Sequence, residues 1–213
     1  MLFNDSDRAR ITAAVAEAES RTAGEIVVIV SAEAHRYAAT CLSAAALLAL
    51  AVPLAGLWLP LGGWDETLSL VHGIEVLIAV QAVVFGLVLA GLWYAGLGRA
   101  LTPAGLRRDR VHRAALTQFK ARGLEATTGR TGVLIFIDEP EHIAEIIADT
   151  GIFAKVPPEH WSATITALTG GIKAGTPAAG VIAAVGLAGG VLATHFPPLP
   201  DDVNELPDGL IEI

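Results

Sequence analysis

Two hydrophobic periods alternate along the chain, one helical and one of short unbroken runs. Residues 4–22 place Ile11, Ala14, Val15 and Ala18 at helical spacing, with Asn4, Asp5 or Ser6 available as the cap. Residues 106–122 repeat the pattern with Val111, Ala114, Ala115 and Phe119. A third helix, opened by Pro157 and Pro158, runs to about residue 174 with Trp161, Ile165, Leu168 and Ile172 as its stripe. Between these helices lie two β-branched runs, 26–30 and 132–137. Unbroken apolar runs of this length suit strands covered on both faces, as in a parallel sheet. A turn of threonine and glycine precedes each: Thr22-Ala23-Gly24 and Thr128-Gly129-Arg130-Thr131-Gly132. Residues 138–149 are acidic and fit two patterns. As a helix, Glu141, Glu145 and Asp149 share a face; as a strand over 144–148, Glu145, Ile147 and Asp149 alternate with Ile146 and Ala148. The strand is the reading adopted, with Thr150-Gly151 as the turn after it.

A different pattern interrupts this order. Residues 37–64 contain no charged side chain, and 38–59 suffices to cross a hydrocarbon layer of about 30 Å. Pro53 kinks such a helix without excluding it. A second run, 70–97, carries no charge between Glu75 and Arg99. Tyr37, Trp58 and Trp64 flank the first run, and Trp93 and Tyr94 close the second, at the levels aromatic rings prefer in a bilayer. Two such helices buried all round in a soluble core would need more protein than 213 residues provide. The prediction is a transmembrane hairpin, with Glu75 an interfacial residue at its outer end. The link, 60–69, has no lysine or arginine, whereas Arg36 precedes the first span and Arg99, Arg107, Arg108, Arg110 and Arg113 follow the second. The positive-inside rule then places the soluble pieces in the cytoplasm and the link outside, in a multi-pass protein of the inner or plasma membrane. The arginines after the second span either attract anionic lipid or serve only to set this topology.

A third charge-free stretch, 174–196, is rich in glycine and alanine, including Gly180, Gly186, Gly189 and Gly190. Thr176-Pro177 opens a helix there, to about residue 194. Small residues permit close packing but partition weakly into lipid, so this helix is assigned to the soluble domain. The predicted fold is α/β, a small mixed or parallel sheet flanked by helices, with an inserted two-helix transmembrane hairpin. Its parts are 1–36, the hairpin 37–98, 99–196, and an acidic proline-rich tail, 197–213.

Charged residues make up 17% of the chain, against about a quarter in ordinary soluble domains, and the deficit lies in the apolar runs. The net charge of −8 excludes the basic face of a nucleic-acid binder. The single cysteine, Cys41, forms no intramolecular disulfide and falls in an apolar run as a packing residue. The first residues lack the basic start and apolar stretch of a secretory signal peptide. The sequence contains no dinucleotide fingerprint, P-loop, zinc-protease helix or nucleophile elbow. Its remaining chemistry is two acidic clusters. Asp138, Glu145 and Asp149, with Glu139 and Glu141 beside them, form the first; Asp201, Asp202, Glu205 and Asp208, with Asn204, form the second. Carboxylates ligate hard cations such as Ca²⁺ or Mg²⁺, although either cluster also reads as a solvated edge. Ligands often sit at the carboxyl ends of parallel strands, which favours Asp138, Glu145 and Asp149.

Several segments resemble the TPM domain family. Thr22-Ala23-Gly24-Glu25-Ile26-Val27-Val28 is similar to its first strand, Thr131-Gly132-Val133-Leu134-Ile135-Phe136-Ile137 to its second, and Ala144-Glu145-Ile146-Ile147-Ala148-Asp149-Thr150-Gly151-Ile152 to its third. His195-Phe196-Pro197 and Asn204-Glu205-Leu206-Pro207-Asp208 resemble the end of a bacterial membrane subgroup in which a transmembrane hairpin interrupts the domain. The resemblance implies a small α/β domain and, for some members, Ca²⁺ binding, acid phosphatase activity or accessory roles beside membrane proteins of the LemA type or other TPM-domain proteins. The expected function is that of a non-catalytic, membrane-anchored accessory protein binding membrane partners. The alternative is a divalent-cation-dependent acid phosphatase, in which a metal would activate water.

Overall fold

The computed structural model describes residues 2–33, 37–56, 70–127, 129–157, 159–198, 205–206 and 209–213. The chain divides into two compact units, one formed by Met1–Ala34 with Arg107–Ile213 and the other by His35–Leu106. The second unit ends later than the predicted hairpin, at Leu106 rather than residue 98.

The first unit is a four-stranded mixed sheet between helices. Helix α1 (Asp5–Glu19) leads into β1 (Glu25–Ser31). Asn4 is the cap: its side chain accepts from the Asp7 N–H, and the Asp7 carboxylate accepts from the Asn4 N–H, forming a capping box. In the second unit follow α2 (Ala38–Gly56), α3 (Leu70–Tyr94) and the single turn α4 (Gly98–Leu101). Helix α5 (Ala104–Ala121) returns the chain to β2 (Gly132–Asp138) and β3 (Ile143–Ala148). The one-turn α6 (Thr150–Phe153), α7 (His160–Lys173), α8 (Pro177–His195) and β4 (Leu210–Glu212) complete it.

The strand order is β3-β2-β1-β4. β1 pairs in parallel with β2 and with β4, and β3 runs antiparallel to β2. The central position explains the unbroken apolar runs: every residue of β1 and β2 is buried. Alternate residues supply two cores. Ile26, Val28 and Val30 with Val133, Ile135 and Ile137 meet α1, α7 and α8. Val27 and Ile29 with Leu134 and Phe136 meet Val111, Ala115 and Phe119 of α5. Each such side chain contributes about 1.5–3 kcal/mol on burial. The edge strand β3 is half-buried over Ile143–Ile146, which accommodates Glu145.

Two expectations change. The buried face of α7 is Trp161, Thr164 and Leu168, while Ile165 stands at its exposed margin, so the apolar stripe is rotated by one position. The end of the predicted tail is a strand: Leu210–Glu212 pairs with Val28–Val30, and the Ile213 N–H donates to the Val30 carbonyl. Acidic and proline-rich composition concealed a three-residue strand whose apolar members are only Leu210 and Ile211.

The second unit is an antiparallel helix pair. Tyr37, Cys41, Ala45 and Ala49, four residues apart, are buried along one face of α2. The Gln81 side-chain N–H donates to the Ala49 carbonyl at 3.4 Å. The opposite faces expose aliphatic side chains, among them Leu47, Leu50 and Leu54 of α2 and Ile78, Val83 and Leu87 of α3.

Gly73–Tyr94 and Pro177–His195 are each long and apolar enough to cross a membrane. The described apolar part of α2, Ala38–Leu54, is shorter. The predicted link with Trp58 and Trp64, together with Arg36, lies outside the described residues.

Candidate functional site

Asp138 ends β2 on the face that carries Leu134 and Phe136, so it points toward α5. It is fully buried, opposite Ser31 on one side and Ile143 on the other. Its Oδ1 accepts from the Glu141 N–H at 3.0 Å, while the Glu139 N–H donates to the Ser31 carbonyl at 2.9 Å. These bonds close the tight β2–β3 turn, in which His142 adopts φ 54°. The Glu141 carboxylate is buried in turn and accepts from Arg107 Nη1 at 3.3 Å. Arg107 therefore sits above a buried acidic pair, with its Nε lacking a hydrogen-bond partner among the described residues. The sequence carries a signal for this position: continuing the Val111, Ala115, Phe119 stripe back by four residues arrives at Arg107.

Glu145 lies midway along β3, opposite Phe136. Its Oε2 is 2.8 Å from His112 Nδ1 on α5, in a half-exposed pair. Asp149 follows the far end of β3. Its N–H donates to the Gly132 carbonyl at 2.9 Å, placing it at the beginning of β2. The side chain is buried and caps α6, with Oδ1 accepting from the Thr150 N–H at 2.6 Å and its hydroxyl at 3.1 Å. Arg130 Nη1 stands 3.9 Å from the same oxygen, and Oδ2 is buried without a hydrogen-bond partner among the described residues.

The three predicted ligands therefore do not converge. In the antiparallel register Asp138 pairs with Ile143, whereas Ala148, beside Asp149, pairs with Val133. Five strand residues separate those pairs, roughly 16 Å at 3.3 Å per residue. The expectation treated β3 as another strand ending at the ligand-bearing edge; its reversed direction carries Asp149 to the opposite edge. Among the described residues no three histidine, cysteine or carboxylate side chains are grouped to hold a metal ion. Of the second cluster, the Glu205 N–H donates to the Glu25 carboxylate at 3.0 Å. Asp201, Asp202 and Asp208 lie outside the described residues.

What the face toward α5 does hold is a pair of cross-element contacts, the ion pair Arg107–Glu141 and the hydrogen-bond contact His112–Glu145. The first joins a buried carboxylate to a half-buried guanidinium, so it contributes more than a surface pair. The second is more exposed and contributes less. Both fix the register of α5 against the β2–β3 hairpin. Neither contains a nucleophile beside a base.

Neither protein-family models nor curated proteins match this chain. Among solved structures, it resembles the NMR structure of BA42 protein from the psychrophilic bacterium Bizionia argentinensis, with a TM-score of 0.61 and 19% sequence identity over 99% of this chain and 95% of the other. At that identity the likeness shows the fold: a mixed α/β architecture with a four-stranded mixed sheet flanked by helices.

Proposed function

We propose that the chain is a membrane-anchored, non-catalytic accessory protein of the TPM-like kind, whose α/β unit binds membrane-protein partners during assembly, maintenance or turnover. The observation that carries this reading is the apolar pair α2–α3, inserted in the chain between β1 and β2, which are neighbours in one sheet. Its outward face is aliphatic, and leaving such side chains in water forgoes about 1.5–3 kcal/mol for each large one. Hydrocarbon removes that cost, and helices satisfy their own backbone bonds there. On this reading α2 and α3 make the two passes, and α8 remains with the sheet. The arginines after the second pass keep the α/β unit in the cytoplasm. The sequence resemblance at β1, β2 and β3 favours partners of the LemA type or other TPM-domain proteins.

The test is extraction of the full chain in mild detergent after cross-linking in cells. A defined membrane protein should co-purify in near-stoichiometric amount; recovery of the chain alone would overturn the accessory role. Orientation is tested by Thr67→Cys in a Cys41→Ala background. An impermeant thiol reagent should label intact cells, and labelling only after lysis would reverse the topology. The cation-dependent phosphatase reading loses its joint ligand set, because Asp138 and Asp149 lie at opposite ends of β2–β3. Turnover of phosphate esters by the full chain with Ca²⁺ or Mg²⁺ would restore it through other ligands.

A further inference from the structure

Helices α7 and α8 form an antiparallel hairpin, joined at one end and free at the other. Near the joined end a Cβ at Gly171 would stand 2.4 Å from the Gly180 Cα, so two glycines let the backbones touch. At the free end His160, the first residue of α7, meets His195, the last residue of α8. Their ring centres are 6.4 Å apart and their planes lie at 88°. His160 is exposed and His195 half-buried. Among the described residues neither imidazole enters a hydrogen bond or an ion pair, so its nitrogens are open to a ligand. The exposed Glu159 adjoins His160, and the Lys155 ammonium lies 4.6 Å from the centre of the Phe196 ring beside His195. One carboxylate and one ammonium thus flank the pair, and their charges offset one another. The amide end of α7 and the carbonyl end of α8 meet there too, so the two helix dipoles largely cancel. Ligand chemistry then decides what the pair can hold.

We propose that His160 and His195 bind a divalent cation of the imidazole-preferring class, Zn²⁺ above all, and that the metal clips the free end of the α7–α8 hairpin. Zn²⁺ binds an imidazole nitrogen at about 2.0–2.1 Å, which puts each ring centre roughly 3.2 Å from the metal. Two bound rings then lie roughly 5–6.5 Å apart, the separation growing with the angle between them. The observed 6.4 Å is at the top of that span. The torsion between Cβ and the ring is broad, and His160 is exposed, so its ring turns a nitrogen toward His195 at little cost. Imidazole suits Zn²⁺ and its neighbours in the first transition row, whereas Ca²⁺ and Mg²⁺ take oxygen. Among the described residues no third histidine, cysteine or carboxylate joins the pair. Water completes the tetrahedron, and the site is weaker than centres with three or four protein ligands. The clip bears on the sheet through the next residue: the Phe196 carbonyl accepts from the Thr22 hydroxyl at 2.7 Å and from the Ala23 N–H at 3.0 Å. Fixing the end of α8 therefore braces the turn that opens β1.

The experiment uses the full chain in detergent, without a polyhistidine tag, and follows Zn²⁺ by isothermal titration and by melting temperature. Zinc at a hundredfold excess over its dissociation constant should raise the melting temperature by about 5–10 °C, because it binds the folded chain and not the unfolded one. Ca²⁺ and Mg²⁺ should leave it where it is. His160→Gln and His195→Gln should each weaken zinc binding by about tenfold or more. His160→Cys should keep the binding, since a thiolate replaces the imidazole. His160 is exposed, so its variants should melt like the wild type without metal, and a lost zinc effect is then a lost ligand. His112→Gln, which removes the histidine paired with Glu145, should leave the zinc effect intact. A wild type that melts alike with and without zinc would overturn the proposal, as would a zinc effect that survives either His160→Gln or His195→Gln. An effect abolished by His112→Gln would overturn it by moving the site to α5 and β3. A dimer that forms only with zinc would do so by placing the two imidazoles on different chains.

Discussion

Helices α3 and α8 look alike as strings of letters and behave oppositely as solids. Each carries a long stretch without charge, and each is long and apolar enough to span a bilayer. Yet none of the most apolar stretch of α3 is buried within the chain, against 44% of that in α8. The difference lies in how glycine is used. In α8, Gly180 backs onto Gly171 of α7 with a prospective Cβ 2.9 Å from its Cα, and Gly189 rests on Ala18 of α1, where a Cβ would fall 2.7 Å from the alanine Cβ. In α3, a Cβ at Gly86 or Gly91 meets nothing within 4 Å. Gly180 and Gly189 of α8 are contact points that bring three helices together over the sheet, whereas Gly186 and Gly190 of α8, like Gly86 and Gly91 of α3, meet nothing within 4 Å and lie on open surface.

The largest effects should come from the α8 side of this comparison. Leu192 is fully buried and packs over Gly24, just before β1. Leu192→Ala should destabilise the α/β unit by about 2–5 kcal/mol, read as a lower melting temperature of the full chain in detergent. Gly189→Leu should cost about 3 kcal/mol through overpacking, more than the roughly 1 kcal/mol that replacing a helical glycine gains. Gly91→Leu in α3 should be neutral or slightly stabilising. Equal losses at Gly189 and Gly91 would mean that the two helices are packed alike.

Charge insertion turns the comparison around. Val83 on α3 is 59% exposed and Leu187 on α8 is 43% exposed. On the proposed membrane reading, Val83→Arg should impose about 3 kcal/mol on insertion of α3, seen as a larger fraction released by alkaline carbonate. Leu187→Arg should change stability by less than about 1 kcal/mol and leave membrane association as it is, because its side chain faces solvent beside the sheet. A carbonate-sensitive Leu187→Arg would make α8 a third pass.

Much of this was legible in the letters. The unbroken runs at β1 and β2 announced a doubly covered parallel pair, and the glycine and alanine content of α8 pointed to the close packing seen at Gly180 and Gly189. The acidic residues were harder. Glu145 and Asp149 alternate onto one face and Asp138 ends the strand before them, which invites a common ligand, but convergence depends on strand direction, and a tight turn at Glu139–His142 reverses it. Nothing in the composition of 139–142 distinguishes a hairpin turn from a longer loop to a parallel strand. Arg107 was overlooked because it sits among arginines that suffice to orient a membrane hairpin. Only its place on the α5 stripe separates it from Arg108 and Arg110. The strand β4 was hidden by brevity, since three residues carry too little periodicity to be read.

The smallest expected effect bears most directly on α8. Strand β4 follows α8 in the chain yet pairs in parallel with β1, which precedes the hairpin. The Arg8 guanidinium of α1 donates to Glu212 of β4 at 2.8 Å, and this bond raises its pKa above the ordinary arginine value. A raised value means that the charged form is favoured in the folded state and is lost only as pH climbs past that value, so the pair is insensitive to acid release from arginine at any working pH. If α8 crossed the bilayer as a third pass, β4 and α1 would lie on opposite sides and this pair would not form. Arg8→Glu and Glu212→Arg should each lower the melting temperature slightly, and the double exchange should recover most of the loss. The effect is small because both side chains retain partial exposure, where ion pairs contribute little. Recovery in the double variant would support α1 and β4 lying on one side of the bilayer, and strictly additive losses would remove that support.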